Sequence, residues 1–378
     1  MIGLISEDKP LEREVAIDPE MLGKVFENLL EITDRKSKGA FYTPREVVHY
    51  MCQEALIDYL VVKTKLPHED IRSFVLYGDF MKDEDTVKIN GNYKTGMFIP
   101  KSIFQCKSDG TRVVDRLSDI DKALANVKIA DPAVGSGAYP LGLLNEIVKL
   151  RETITAYMSI GMTAFQKRNL YVKERSTYAL KRSTIKDCIF AVDIDPSAVD
   201  IARLRLWLAL VIDDIIVTDG DGIFERSNPT PLPNLDCNII CGNSLVDEFM
   251  GISLINKAAL NENVQQNFGQ EEYDYYLTEI IKAQDALYQC DDNHKKEFYK
   301  RAIAGLRRKL IMKQLANEGA TDNIIGAFEH AEASISKPYI LWPIDFAKAL
   351  KDNGGFDIVI GNPPYGAKLS KEEKALKQ

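Results

Sequence analysis

The sequence predicts an α/β fold, a parallel sheet flanked by helices, with helices ahead of it and a long helical insertion within it. Three observations carry that prediction. A short run, Val127-Lys128-Ile129-Ala130-Asp131, leads through a Gly-rich turn, Pro132 to Gly137, into an apolar helical pattern that starts at Ala138. The same order recurs at Cys188 to Asp193, after which Pro196 opens a helix through Ile201, Leu204, Leu208 and Leu210. Two further apolar runs, Cys237 to Cys241 and Phe356 to Ile360, are each followed by Gly-Asn. A strand, a glycine turn and a helix make half of a mononucleotide-binding unit, and strands that alternate with helices imply parallel pairing.

Taken in order, residues 1–67 read as a helical region. Apolar residues from Pro19 to Val62 fall mostly at helical spacing, with a break at Gly39 to Pro44. Thr43 is placed to cap the second helix, and Pro44 to occupy its first position. Residues 68–126 are mixed in pattern, with turn signals at Asn90-Gly91-Asn92 and Asp109-Gly110, and read as a variable insertion. Residues 127–250 hold the first three strands. Residues 251–337 read as an inserted helical arm, with Tyr276, Ile280, Ala283 and Leu287, then Ala302, Leu306 and Leu310, at helical intervals. Residues 338–378 carry the fourth strand and the Asn362-Pro363-Pro364-Tyr365 turn, and the chain reads as truncated soon after it.

Composition narrows the setting. The 378 residues are 45% hydrophobic and 28% charged, enough for a sizeable core. The richest apolar stretch, Leu204 to Val217, is interrupted by Arg205, Asp213 and Asp214, so no membrane span is expected, and Met1 opens no signal peptide. The cysteines at 52, 106, 188, 237, 241 and 290 show no metal-binding spacing, which predicts core thiols in a reducing cytoplasm and no metal. A net charge of -8 confines any nucleic-acid contact to local patches. Two basic clusters exist, one over Lys167, Arg168, Lys173, Arg175, Lys181, Arg182 and Lys186, the other from Lys295 to Lys313 through Arg301, Arg307 and Arg308. Each reads equally well as a solvated helix face.

The candidate site residues follow the strands. Asp131, Pro132, Ala133, Gly135 and Gly137 form a turn whose glycines let backbone approach a ligand at the carboxyl ends of the strands. It is not the full dinucleotide fingerprint and no pyrophosphate lysine follows, so a cofactor with a nucleoside and no phosphate fits better. Asp193 ends the second strand, where a carboxylate can accept two hydrogen bonds from a ribose diol. Its rival Asp195 precedes Pro196 and reads as a helix cap. Asn243 can offer both donor and acceptor to an adenine edge, or be an ordinary turn residue.

Asn362-Pro363-Pro364-Tyr365 is the sharpest motif. Its prolines stiffen the turn and remove two backbone donors, leaving carbonyl oxygens free to accept. An amino group held between the Asn362 side-chain oxygen and the Pro363 carbonyl would commit both its protons and expose its lone pair to an electrophilic methyl. The Tyr365 ring supplies a stacking face for a flat base taken out of a duplex. The plainer reading is a Pro-Pro loop stop with a packing tyrosine.

Together these pieces resemble the gamma-class adenine-specific DNA methyltransferases, most closely those fused within type IIG restriction-modification proteins. Gly39-Ala40-Phe41-Tyr42-Thr43-Pro44 is similar to that family's N-terminal cofactor motif, Asp131 to Gly137 to its glycine loop, Asp193 to its ribose carboxylate, Asn243 to its adenine-edge residue and Asn362 to Tyr365 to its catalytic tetrad. Gly23 to Leu30, Leu204 to Leu208 and the helical insertion also look like the family. The resemblance implies a Rossmann-like S-adenosylmethionine-dependent methyltransferase sheet, here incomplete. It implies S-adenosylmethionine held by Phe41, Tyr42, Thr43, the glycine loop, Asp193, Ile194 and Asn243, and catalysis by Asn362, Pro363, Pro364 and Tyr365. Its partner would be double-stranded DNA with a flipped adenine, methylated at the 6-amino group within a specific sequence. Target-recognition and nuclease regions would lie outside these residues.

Two departures bear on the site. Tyr139 stands where the family usually has phenylalanine, and Asn243 where many relatives have aspartate. Competing readings are a methyltransferase for a protein glutamine or an RNA base, and a cofactor-binding fragment that is catalytically silent. Loss of the later strands would leave a sheet edge unpaired and favour self-association.

Overall fold

The computed structural model describes residue 19 and residues 43–78, 88–89, 92–93, 99–106, 112–160, 162–171, 175–211, 217–218, 224–225, 234–255, 270–290, 292–334 and 336–363. Phe41, Tyr42, Pro364 and Tyr365, and the first predicted helix up to the Gly39 break apart from Pro19, lie outside these residues.

Chain order gives helices α1 (Arg45–Thr64), α2 (His68–Tyr77) and α3 (Leu117–Asn126), then strand β1 (Ile129–Asp131) and helix α4 (Ala138–Met158). Helix α5 (Thr177–Cys188) runs directly into β2 (Ile189–Asp193), followed by α6 (Pro196–Val211) and β3 (Ile239–Cys241). The insertion supplies α7 (Gln270–Gln289), α8 (Asn293–Asn317) and α9 (Asp322–Glu332), and the chain returns through α10 (Ala347–Asn353) to β4 (Ile358–Val359). Among the described residues no helix is long and apolar enough to cross a membrane.

The four strands form one parallel sheet in the order β4-β1-β2-β3. Ile129 lies between Ile358 and Ile189, and Ala191 pairs with Ile239. Because β1 to β3 step one way and β4 returns on the far side of β1, the order reverses between β1 and β4. Open α/β sheets bind ligands at such a switch point, beyond the carboxyl ends of the strands. No described strand pairs with the outer side of β4, where Val359 is 68% exposed.

Both faces of the sheet are covered, which explains why β2 reads as a continuous apolar run and not an alternating one. Ile189 and Ala191 join the main core with Leu56, Leu60, Leu144, Ile147 and Leu206. Phe190 and Val192 face the other way, toward Ile340, Phe346 and Phe356. Residues read from sequence as a variable insertion contribute to the main core as well: Ile71, Phe74, Ile103, Phe104, Leu117 and Ile120 are all buried there. Their pattern looked mixed because helices and short strands alternate over few residues.

The inserted helices build a second core around Phe249, Ile311, Leu315, Phe328 and Tyr339. Arg307 is buried at its centre, bonded through Nε to Asp345 at 2.6 Å and through Nη1 to Glu332. Arg175 likewise holds Asp121 with both terminal nitrogens, at 2.7 and 2.6 Å. One arginine of each basic cluster thus serves an internal ion pair.

Candidate functional site

Helix α1 begins at Arg45, one residue later than its capping signal implies. Pro44 takes the N-cap position with φ -53° and ψ 142°, and no side chain caps it. The expected Thr43 cap is therefore not made. Its hydroxyl accepts instead from Asn362 Nδ2 at 3.2 Å. Asp195 does act as the cap of α6, with Oδ1 accepting from Ser197 N at 2.9 Å.

The glycine turn is tied to both β2 and α6. Val134 N donates to Val192 O at 2.9 Å, and Arg205, buried within α6, donates through Nη1 to Ser136 O at 2.7 Å and through Nε to Pro19 O at 2.6 Å. Gly137 has φ +86°, and a Cβ there would sit 3.0 Å from the Ala202 Cβ. This glycine serves both backbone conformation and the approach of α6. Gly135, at φ +52°, faces open space.

Two carboxylates flank the turn. Asp193 Oδ2 accepts from Gly135 N at 2.7 Å and Oδ1 from Asp195 N at 2.9 Å. These bonds, with a further contribution from the Ile194 N–H, fix the carboxylate and still leave it acceptor capacity. Burial raises its pKa, with the bonds from Asp195 and Gly135 acting in the opposite sense. Asp131, 1% exposed at the end of β1, accepts from Ala133 N at 3.1 Å through Oδ1, while its Oδ2 is buried without a partner. Burial pushes its carboxyl up to about 8, partly offset by the Ala133 N–H and reinforced by the charge of Asp193.

On the far side of β2, Asn243 lies in a turn whose geometry sequence could not give. Its Oδ1 accepts from Leu245 N at 3.1 Å, so the oxygen expected to face a ligand is already half committed. The segment that returns from the insertion closes this end: Asn243 N donates to Lys337 O at 3.0 Å, and Ser336 Oγ to Ile194 O at 2.9 Å. Ile194 itself is 48% exposed.

β4 brings the last motif to β1. Ile360 N donates to Ala130 O at 3.0 Å, and a Cβ on Gly361 would fall 2.6 Å from Asp131 Oδ1 and 3.5 Å from Pro132 Cδ. Asn362 and Pro363 are exposed just beyond. Thr43, Asp131, Pro132 and Asn362 thus meet at the switch point, with the glycine turn and Asp193 following from β1 and β2. Asn243 sits at the other end of the same row of strand termini. Sequence reasoning missed Arg205, Ser336 and Gly361; an arginine inside the apolar run Leu204-Arg205-Leu206-Trp207-Leu208 was the one available signal.

Comparison with known proteins fits this layout. The family model described as "Eco57I restriction-modification methylase" matches residues 187–378. A protein of Methanocaldococcus jannaschii named as a type II restriction enzyme and methyltransferase is 27% identical over 425 aligned residues, covering 96% of this chain and 31% of that protein. The Escherichia coli type II restriction enzyme and methyltransferase of the Eco57I system is 31% identical over 130 residues, 34% of this chain and 12% of that protein. The chain therefore spans about a third of the length of the first of these relatives. With a strand order of β4-β1-β2-β3, a glycine turn at the switch point and a family match over half its length, this chain belongs to the Eco57I restriction-modification methylase family.

Proposed function

We propose that this chain carries the methyl-transfer centre of a restriction-modification enzyme, using S-adenosylmethionine to methylate the 6-amino group of adenine in a specific DNA sequence. The observation that carries the reading is the junction of β1 and β4, where Gly361 leads Asn362 past the Asp131 carboxylate at the head of the glycine turn.

The residues fit such a cofactor. Gly135 opens onto space that a side chain would fill, Asp131 Oδ2 is a buried polar atom without a partner, and Asp193 keeps acceptor capacity for a ribose hydroxyl. Ile194 and Asn243 would border the adenine, and Thr43, with Phe41 and Tyr42 before it, the methionine end. Bound there, S-adenosylmethionine supplies a methyl group activated by a sulfonium. The chain's own part is to hold the acceptor. The Asn362 side-chain oxygen and the Pro363 carbonyl would take the two N–H bonds of the amine, leaving its nitrogen lone pair directed outward, while Tyr365 stacks on the extruded base. Positioning and desolvation supply the rate, with no general base of shifted pKa required for the attack.

The test is transfer of labelled methyl to unmethylated duplex DNA, with the product base identified by mass spectrometry. We expect N6-methyladenine, and an Asn362→Ala protein that binds S-adenosylmethionine in calorimetry yet transfers nothing. A methylated cytosine, methyl transfer to RNA or protein but not DNA, or full activity in Asn362→Ala would overturn the reading.

A further inference from the structure

Thr43 meets two residues far from it in sequence. Its hydroxyl accepts from Asn362 Nδ2 at 3.2 Å and stands beside the phenol of Tyr139, whose own hydroxyl donates to Met51 Sδ at 3.3 Å. An amide nitrogen can only donate and a thioether sulfur can only accept. Tyr139 gives its single hydrogen to Met51, so its oxygen is left as an acceptor for the hydrogen of Thr43, while the Thr43 oxygen takes the Asn362 N–H. Both anchors are rigid, since Met51 lies within α1 and Tyr139 in the first turn of α4. Tyr139 is buried, at 4% exposure.

We propose that Thr43 is a positioning residue for Asn362, holding its amide with nitrogen inward so that the oxygen is the atom offered to the target amine. The inference rests on the adenine-methylation reading for its functional consequence. Without the anchor, the two amide orientations of an exposed asparagine differ little in energy, and the flipped one sets N–H against the amine's N–H. With it, a flip would put Oδ1 against the Thr43 oxygen, whose hydrogen is committed to Tyr139. The extra hydroxyl of Tyr139 is what commits that hydrogen. A phenylalanine at 139 would let Thr43 turn its hydrogen toward Asn362 and tolerate either orientation.

The experiment compares Thr43→Val, Thr43→Ser and Tyr139→Phe with the wild-type protein, at saturating S-adenosylmethionine on unmethylated DNA. Thr43→Val should lower kcat by about ten- to a hundredfold, the range expected for a misplaced reacting group. The KM for DNA should stay within about twofold, a change of under about 0.5 kcal/mol, and because the cofactor is saturating, any affinity lost with the Thr43 hydroxyl does not enter kcat. Thr43→Ser should restore the rate, and Tyr139→Phe should show a smaller loss of the same kind. A second readout needs no turnover: the side-chain amide signals of Asn362 in a nitrogen-15 spectrum, identified by their absence in Asn362→Asp, should move toward free-amide values in Thr43→Val and remain in Thr43→Ser. Unchanged amide signals would overturn the bond itself. A kcat equal to wild type, or a loss confined to cofactor affinity, would overturn the positioning role. Full activity in Asn362→Ala would instead overturn the functional reading while leaving the amide result to stand by itself. If Thr43→Val does not fold, Tyr139→Phe decides the point by both readouts.

Discussion

Gly361 stands so close to Asp131 that a methyl group on its Cα would come within 2.6 Å of the carboxylate oxygen Oδ1. Neither partner can give way easily, because Ile360 N is bonded to Ala130 O at 3.0 Å and Asp131 Oδ1 to Ala133 N at 3.1 Å. Gly361→Ala must part β4 from β1 at the point where Asn362 leaves the sheet. We expect a destabilisation of about 1–3 kcal/mol, the usual cost of overpacking, with methyl transfer reduced more than cofactor affinity. Denaturant unfolding together with calorimetry checks this, and wild-type stability with wild-type transfer would refute it.

The two glycines of the turn should separate stability from binding. Gly137→Ala meets both a positive φ of 86° and the Ala202 backbone at 3.1 Å, so it should cost stability, on the order of 2 kcal/mol or more. Gly135→Ala meets only a φ of 52° and open space, so its cost should be nearer 1 kcal/mol. Its new methyl group would enter the space assigned to the cofactor, and affinity for S-adenosylmethionine should fall further than in a variant that merely unfolds more easily. Equal ratios of affinity loss to stability loss in the two variants would count against the assignment.

Asp193 and Asp195 sit two residues apart and should behave differently. Removing Asp193 leaves the Gly135 and Asp195 N–H groups without their acceptor and takes away the diol partner. Hydrogen bonds to a charged group contribute about 1.5–3 kcal/mol, so Asp193→Ala should weaken S-adenosylmethionine binding by at least roughly tenfold. Asp195→Ala loses a helix cap, worth about 1 kcal/mol of stability, and should bind the cofactor nearly as well as wild type. The comparison is made by calorimetry, and a reversed order of the two affinities is the contrary result.

Asp131 should make stability depend on pH in an unusual sense for an aspartate. Burial pushes its carboxyl up to about 8, well above the ordinary value near 4, so the folded protein holds a proton there that the unfolded chain has released. The stabilisation tied to that proton is complete below the unfolded value and is lost as pH rises through about 8. Asp131→Asn, which stays neutral, should lose less stability than wild type between about pH 5 and pH 8. Parallel melting-temperature curves for the two proteins over that window would show that the carboxyl titrates normally.

The strand, the glycine turn, the second strand ending in Asp193 and the last strand leading to Gly361 were legible in sequence because each is a local signal. Glycine, proline and apolar spacing act on neighbouring residues, and strand boundaries moved by only one or two positions: the run Cys237 to Cys241 narrows to Ile239–Cys241. Burial on both sides of the sheet also left its mark, as unbroken apolar runs. What sequence could not give was which distant groups would share those local features. Thr43 looked like a cap, yet its hydroxyl meets Asn362 across 319 residues. Asn243 looked ready for a ligand, yet its oxygen is turned to Leu245 N. Arg175 and Arg307 sat in basic clusters, yet each is spent on an internal carboxylate. The return of β4 beside β1, after the whole helical insertion, decides where Asn362 stands. Local chemistry fixes which conformations a segment favours; only closure of the chain into one sheet settles which partners its polar atoms find, because a buried donor or acceptor must be satisfied by whatever the fold brings near.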